Sequence, residues 1–378
     1  MNYHLTDDQR AIQDMARKFT ADAITPNAAA WDEHKVFPRE VIRRGAELGF
    51  GSIYIAEAMG GCGLGRLEAA LIMEAMAYGC PSTSAFFSIH NMAAWMIDAF
   101  GDQVVKDAYL PKLITMEHMA SYCLTEPGAG SDAAALKTTA RRDGDHYVLS
   151  GTKAFISGGG ENDVYVVMAR TGGPGARGIS CVVVEKDMPG VSFGAQERKL
   201  GWHSQPTSMV MFDNVRVPVA NLVGEEGQGF RIAMAGLDGG RINIGACSLG
   251  GAQRCLDDAI TYVKERNQFG QRIADFQSTQ FTLADMATRL EAARALLYVA
   301  ALKVSEGAAD KTRFAAMAKL MATESGSAVV NNALQLHGGY GYLMDYPVER
   351  FFRDLRVHEI LEGTSQIMRF VVGRSLVE

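Results

Sequence analysis

The sequence predicts an α+β chain in three zones: an N-terminal helical domain (1–118), a middle antiparallel β domain forming a compact barrel or sandwich (119–224), and a C-terminal four-helix bundle (225–378). Three observations predict this. Apolar residues recur with a helical period up to about residue 118 and again from about residue 225. Between them lie short β-prone runs: ASYCLT, HYVLSGTKAFIS, DVYVVMAR, ISCVVVEK and SMVMFDNVRV. Only brief Gly, Asp and Pro connections separate most of these runs, and a parallel pair needs a crossover of about a dozen residues or more. Antiparallel pairing therefore dominates the expectation.

In the first zone, Thr6 and Gln9 read as a capping box, with Ile12, Met15 and Phe19 on one face of the helix behind it. Pro38 suits the first turn of a helix running through Val41, Ile42 and Leu48 and stopping near Gly49. GGCGLG (60–65) is a loop, and helical patterns resume through LEAALIMEAMA and NMAAWMIDAFG. In the last zone helices are expected over about 228–265, 277–306 and 312–336, and after Thr364. The stretch 277–306 carries Leu283, Met286, Leu290 and Leu297 on one stripe with no Pro, and would span roughly 45 Å.

Composition narrows the function. The chain has 378 residues, 21% of them charged and 48% hydrophobic, which excludes disorder as the main state. Lys and Arg number 37 against 43 Asp and Glu, a net charge of −6, which makes the chain a poor candidate for nonspecific nucleic-acid binding, since that needs a basic face. No apolar run reaches the ~18–20 residues of a membrane span. The start, MNYHLTDDQR, has neither a signal nor a transit pattern. Six cysteines without a CxxC are expected to be reduced and mostly buried. The expected location is cytoplasmic, or the mitochondrial matrix for a processed eukaryotic form.

Two segments spell a dinucleotide fingerprint, Gly173 to Gly178 and Gly128 to Ala133. The first precedes a strand pattern and the second is not followed by βαβ alternation, so a nicotinamide-binding Rossmann fold is not supported. His358 to Glu362 resembles a zinc HExxH with its last His replaced by Glu, and no ligand cluster stands near it in sequence. No GxSxG elbow is present. Three local clusters are sharper. YCLTEPGAGSD (122–132) places Thr125, Glu126, Ser131 and Asp132 around a Pro-Gly turn after a strand, where small residues let backbone N–H groups approach a ligand. An ordinary polar hairpin would read the same way. QLHGGYGY (335–342) ends a helix, and its plain reading is a C-cap. EGTSQI (362–367) sets Glu362 before a Gly-Thr turn that opens the last helix, where an acidic residue also suits the helix dipole.

Taken in order, YCLTEPGAGSD, KAFIS, LDGGR, ERNQFG, QLHGGYGY and EGTSQI resemble the acyl-CoA dehydrogenase family over essentially the whole chain. The resemblance implies an FAD enzyme, a homotetramer, an acyl-CoA substrate and an electron-transfer flavoprotein as acceptor. It implies flavin contacts at Tyr122, Leu124, Thr125, Gly130 and Ser131, with Phe155, Ile156 and Ser157 against the ring system. Arg266, Gln268, Phe269, Phe276 and Gln277 match contacts to the pyrophosphate and adenine side, partly donated across a subunit interface. Gln335, Gly338 and Gly339 match the adenosine-end loop of a neighbouring subunit, and Thr364 and Gln366 the final flavin contacts. Ser131, Asp238, Arg241, Gly363 and Arg374 match acyl-CoA contacts. Glu362 aligns with the catalytic base. A minority of the family carries its base just before the Arg of LDGGR, but here that position is Gly240, which cannot act.

HNMAAWMID (90–98), GWHSQPT (201–207) and GGRINI (239–244) resemble the branch acting on short, α-branched acyl groups, whereas Asp238 and EGTSQI look like the wider family. The implied chemistry is α-proton abstraction by Glu362 and hydride transfer from the β-carbon to flavin N5. A thioester α-C–H is a weak acid, so the base needs a pKa raised by desolvation, and the developing enolate needs hydrogen bonds at its oxygen. Three alternatives stay open. An oxidase on the same fold would turn over in air without an acceptor protein. A nicotinamide enzyme would be colourless. A binding module would lack the carboxylate at 362.

Overall fold

The computed structural model describes residues 5–377. The first helices are α1 (Asp7–Phe19), α2 (Ala28–His34), α3 (Arg39–Glu47), α4 (Arg66–Ala77), α5 (Pro81–Phe100) and α6 (Gln103–Ile114). The capping box of α1 forms as expected: Gln9 N–H donates to Thr6 Oγ1 (3.2 Å), and the Gln9 side chain accepts from Thr6 N–H (3.0 Å). Of the three residues read onto its inner face, Phe19 is buried and Ile12 packs on the core, whereas Met15 points outward. Ala16 takes the inner position, because the inner face follows the 16–19 row. α4 is buried on nearly every side, consistent with its almost uniformly apolar run.

Eight strands follow: β1 (Ala120–Cys123), β2 (Thr139–Asp143), β3 (His146–Ser157), β4 (Val164–Arg170), β5 (Ile179–Glu185), β6 (Val191–Phe193), β7 (Thr207–Pro218) and β8 (Leu222–Val223). They form one sheet ordered β6-β7-β3-β2-β4-β5-β8, with β1 beside β4. Most pairs are antiparallel. Two are parallel: β1 with β4, and β2 with β4 at the single pair Thr139 and Arg170. The β1–β4 crossover contains the whole β2–β3 hairpin, so it has the length a parallel pair needs. β4 and β5 are buried on both faces. Val164, Val166, Met168, Cys181 and Val183 face α5 and α6, while Tyr165, Val167, Val182 and Val184 fill a second core inside the sheet.

The C-terminal zone has long helices α7 (Gly229–Glu265), α8 (Gln277–Ser305) and α9 (Lys311–His337), the shorter α10 (Val348–Arg356), and α11 (Ser365–Val377). Met286, Leu290 and Leu297 are fully buried, as the stripe on α8 requires. α7 runs between α4, α8 and α9, and Gly250 lets it close on α4, since a Cβ there would overlap the Glu74 carbonyl. All six cysteines are unpaired and five are buried. Among the described residues no helix is long and apolar enough to cross a membrane.

Candidate active site

Glu362 stands in the turn that leads into α11. It adopts φ 56°, and Gly363 follows at φ 94°. A left-handed non-glycine residue carries strain, and such strain gathers at functional turns. Thr364 Oγ1 then accepts from Ile367 N–H (3.2 Å) and caps α11. Two buried cations hold the carbonyls of this turn. Arg241 Nε donates to the Glu362 carbonyl (3.3 Å), and Lys319 Nζ donates to the Gly363 carbonyl (2.8 Å). Arg241 is fixed by Asp238 (2.9 Å), whose second oxygen accepts from Thr312 Oγ1 (2.6 Å). Thus α7, α9 and the turn before α11 meet at one carboxylate.

That carboxylate is enclosed, and its Oε2 has no hydrogen-bond partner. Burial pushes the Glu362 pKa up to about 7, against the lowering effects of Arg241 and Lys319. Burial also lowers Lys319, to about 8. A carboxylate that titrates near neutrality and spends no oxygen on structure has the properties of a general base.

Gly240 makes room for it. A Cβ at 240 would stand 2.5 Å from Glu362 Oε2. That oxygen ends a flexible side chain, so Gly240→Ala should leave the fold intact, or stabilise it slightly through helix propensity worth up to about 1 kcal/mol. The carboxylate would be displaced, and we expect a loss of about 10–100-fold in turnover, since small misplacements of a reacting group are costly. Steady-state kinetics beside a urea titration checks this. Unchanged turnover would show that the space at Gly240 is not needed.

The β domain faces the same place. Tyr122 donates to the Ala233 carbonyl of α7 (3.4 Å), and the charges of Glu362 and Arg241 both act on its hydroxyl. Ala154 N–H donates to the Thr125 carbonyl (2.8 Å), which sets the 122–132 loop beside the end of β3. There Phe155 turns outward at φ 58° with its ring 67% exposed, next to a register shift between Lys153 and Ile156. Leu124 and Ile156 are buried, Thr125 and Ser157 half-buried, and Gly130 and Ser131 exposed. No atom lies near the Cβ positions of Gly128 and Gly130, so a ligand can approach that backbone closely. The segment after Gly128 forms a single tight turn at Ala133–Ala135 rather than a helix.

The segments read as branch-specific tie neighbouring elements together. Trp202 N–H donates to Asp354 of α10 (2.6 Å), and the Trp202 ring packs edge-on to His358. His358 is neutral, its pKa lowered by burial to about 3, and Nδ1 pairs with Ser248 (2.7 Å). In HNMAAWMID, His90 links the Leu113 carbonyl to Ala120 N–H, and Asn91 ties down Ile53, Phe50 and Phe87. Trp95 instead lines a cavity of about 620 Å³ together with Tyr54, Arg66, Met234, Asp238 and Arg241.

A second group lies elsewhere. Arg266, Gln268, Phe269, Phe276 and Gln277 surround the small hairpin β9 (Asn267–Gln268) and β10 (Gln271–Arg272), at the far end of α7. The Arg266 guanidinium stands over Tyr340, in the turn that also holds Gly338 and Gly339. Phe269 is 93% exposed, and Gln335, Gly338 and Gly339 are open to solvent. Along α7, Arg266 is 26 residues from Gly240, or about 39 Å. Gln366 and Arg374 lie exposed on α11. Arg66, Tyr54 and Lys319 were not singled out from the sequence. The signal for the two cations is a charge inside an apolar run, GLGRLEAAL for Arg66 and AAMAKLMA for Lys319, and Tyr54 has none.

Three family descriptions match the chain: the acyl-CoA dehydrogenase N-terminal domain over residues 6–117, the middle domain over 121–215 and the C-terminal domain over 227–377. The mitochondrial isobutyryl-CoA dehydrogenase of Bos taurus is 54% identical, the match covering 99% of this chain and 90% of the relative. A chain in a solved structure of the electron transferring flavoprotein of Acidaminococcus fermentans superposes with a TM-score of 0.98 at 43% identity, covering all of both chains. Butyryl-CoA dehydrogenase from Megasphaera elsdenii superposes at 0.97 with 38% identity, again over all of both.

Proposed function

The chain belongs to the acyl-CoA dehydrogenase family and is an FAD-dependent acyl-CoA dehydrogenase, and we propose that it converts isobutyryl-CoA to methacrylyl-CoA with Glu362 as the base. The observation that carries this reading is the enclosed, unpartnered Glu362 carboxylate in a chain 54% identical to an isobutyryl-CoA dehydrogenase.

The residues fit FAD. Tyr122, Leu124, Thr125, Gly130 and Ser131 offer an open backbone cradle, Phe155 to Ser157 offer a side for a flat ring, and Thr364 and Gln366 close the turn after the base. When bound, FAD supplies a two-electron acceptor to the site. The chain does the rest. Glu362 takes the α-proton. Arg241 and Lys319 hold the carbonyls of its turn, and the Glu362 backbone N–H is the chain's proposed donor to the thioester oxygen. Asp238, Arg241, Ser131, Gly363 and Arg374 are the proposed acyl-CoA contacts.

Arg266, Gln268, Phe269, Phe276 and Gln277 cluster just beyond the C-terminal end of α7, about 39 Å along the helix from Gly240 beside Glu362, and Gln335, Gly338 and Gly339 stand next to them at the end of α9. We therefore assign them to the adenosine end of a neighbour's FAD in a homotetramer. The exposed Phe269, Phe281 and Tyr342 support this reading, since a free monomer would leave them in water. An electron-transfer flavoprotein is the proposed acceptor, supported by the likeness to a chain found in such a structure.

Anaerobic reduction of the purified yellow protein with an acyl-CoA panel tests the proposal. Isobutyryl-CoA should bleach the flavin with the highest efficiency. Butyryl-CoA and 2-methylbutyryl-CoA should follow, because one methylene changes rates by only ~10–200-fold. Light scattering on the same preparation should read a tetramer. If octanoyl-CoA or isovaleryl-CoA bleaches fastest, the substrate assignment fails while the family assignment stands. Fast turnover in air without an acceptor protein would make the enzyme an oxidase.

A further inference from the structure

The 620 Å³ cavity is lined in part by a buried cation that the proposed chemistry does not use. Arg66 is 6% exposed. Its guanidinium lies over the Tyr54 ring at 3.6 Å and the Trp95 ring at 4.8 Å. Its Nη1 has no hydrogen-bond partner and packs against α7 where Gly239 lacks a Cβ, since any side chain at 239 would overlap it. The next residue is Gly240, whose missing Cβ houses the Glu362 carboxylate. One turn along the helix, Asn243 Nδ2 donates to the Tyr54 hydroxyl (3.4 Å), and its own Oδ1 is buried without a partner. Arg66 and Tyr54 thus form a polar wall of the cavity close to the base, with the buried Asn243 behind Tyr54. The guanidinium interacts with Tyr54, but a buried Nη1 left unpaired costs stability that the ring contacts offset only in part. Local rules broken without structural gain gather at functional sites.

We propose that Arg66, held flat between Tyr54 and Trp95, is the wall that ends the acyl site and restricts it to short acyl groups. The argument rests on the acyl-CoA reading above and adds a specificity-determining residue to it. A short acyl group stops before the guanidinium. A longer alkyl chain must either displace the cation from its two rings or bury methylenes against unpaired N–H and C=O groups. Both are unfavourable, and a site with buried polar groups rejects an apolar partner more strongly than a hydrophobic pocket does.

The test uses S-isobutyl-CoA and S-octyl-CoA, thioethers with no carbonyl to acidify the α-carbon, so binding is read without turnover. Calorimetry on the FAD-loaded protein should show the wild type preferring the isobutyl compound. In Arg66→Met the ratio of octyl to isobutyl affinity should rise at least tenfold. Arg66→Lys, which keeps the cation, should stay within about threefold of the wild type. Asn243→Leu removes the amide that holds the Tyr54 hydroxyl behind the wall and should shift the ratio in the same direction, so the proposal is tested even if Arg66→Met does not fold. A wild type that binds both equally, or variants that leave the ratio unchanged, overturns the inference. A wild type that binds neither compound overturns the acyl-CoA reading itself.

Discussion

Replacing Glu362 by Gln is expected to lower turnover by about 10²–10⁴-fold or more, the usual worth of a positioned base, with FAD still bound. The amide keeps the side-chain shape and cannot take a proton. The pH dependence makes the prediction sharper. Burial holds the folded pKa at about 7, against an ordinary value of 4.5. Only the ionised form is a base, so wild-type kcat/KM should rise with pH and level off above about 7. The residual rate of Glu362→Gln should lack that rise. Stability runs the other way. Between pH 4.5 and about 7 the folded protein keeps a proton that the unfolded chain has released, so stability falls as pH rises through this window. The variant removes this fall and should gain up to about 3 kcal/mol over wild type above pH 7, and nothing below pH 4.5. Turnover within tenfold of wild type would remove Glu362 from the role of base.

Much of this arrangement was legible in the chain because it rests on local periodicity and local turns. The α8 stripe through Met286, Leu290 and Leu297, the Thr6–Gln9 capping box and the left-handed Gly338 ending α9 each follow from residues a few positions apart. What was not legible depends on distant contacts. The parallel pairing of β1 with β4 joins residues more than forty apart, across a hairpin that could equally have carried β1 to another neighbour. Nothing local names the partners of the buried Lys319, Arg66 and Lys153, since only the fold brings the Gly363 carbonyl, the Tyr54 ring and Glu126 to them. GWHSQPT pointed to the acyl group by resemblance. In the fold its Trp202 braces Asp354 and His358, the latter four residues before Glu362, a contact between distant segments that the motif itself does not show.

Glu126→Ala should destabilise the β domain by about 3–5 kcal/mol, the cost of breaking a buried ion pair from one side. Glu126 lies in the loop that offers the open glycines, and its carboxylate is the pin of that loop. It accepts from Lys137 N–H (2.6 Å), Thr138 N–H (2.9 Å) and Lys153 Nζ (2.8 Å). Lys153 is fully buried and donates also to the Leu124 carbonyl (3.1 Å), so one cation joins β3 to both ends of the Leu124–Glu126 turn. Burial opposes the ionised carboxylate, but Lys153 and the two amides hold its pKa below the usual carboxylate range. Its stabilising effect is therefore present above the unfolded pKa and is lost as pH falls through the folded one. Alanine leaves a buried ammonium and two amide N–H groups without an acceptor, and the loop that the FAD reading needs should loosen with them. Urea titration of the apo and FAD-loaded protein, with flavin absorbance as the second signal, checks both effects. The double variant Glu126→Gln with Lys153→Met separates charge from packing. If the loss comes from the stranded ammonium, the double variant should recover most of it, because an apolar replacement of a buried pair is often close to neutral. A loss below about 1 kcal/mol in Glu126→Ala, with flavin fully retained, would mean that the loop is held by its backbone turn alone.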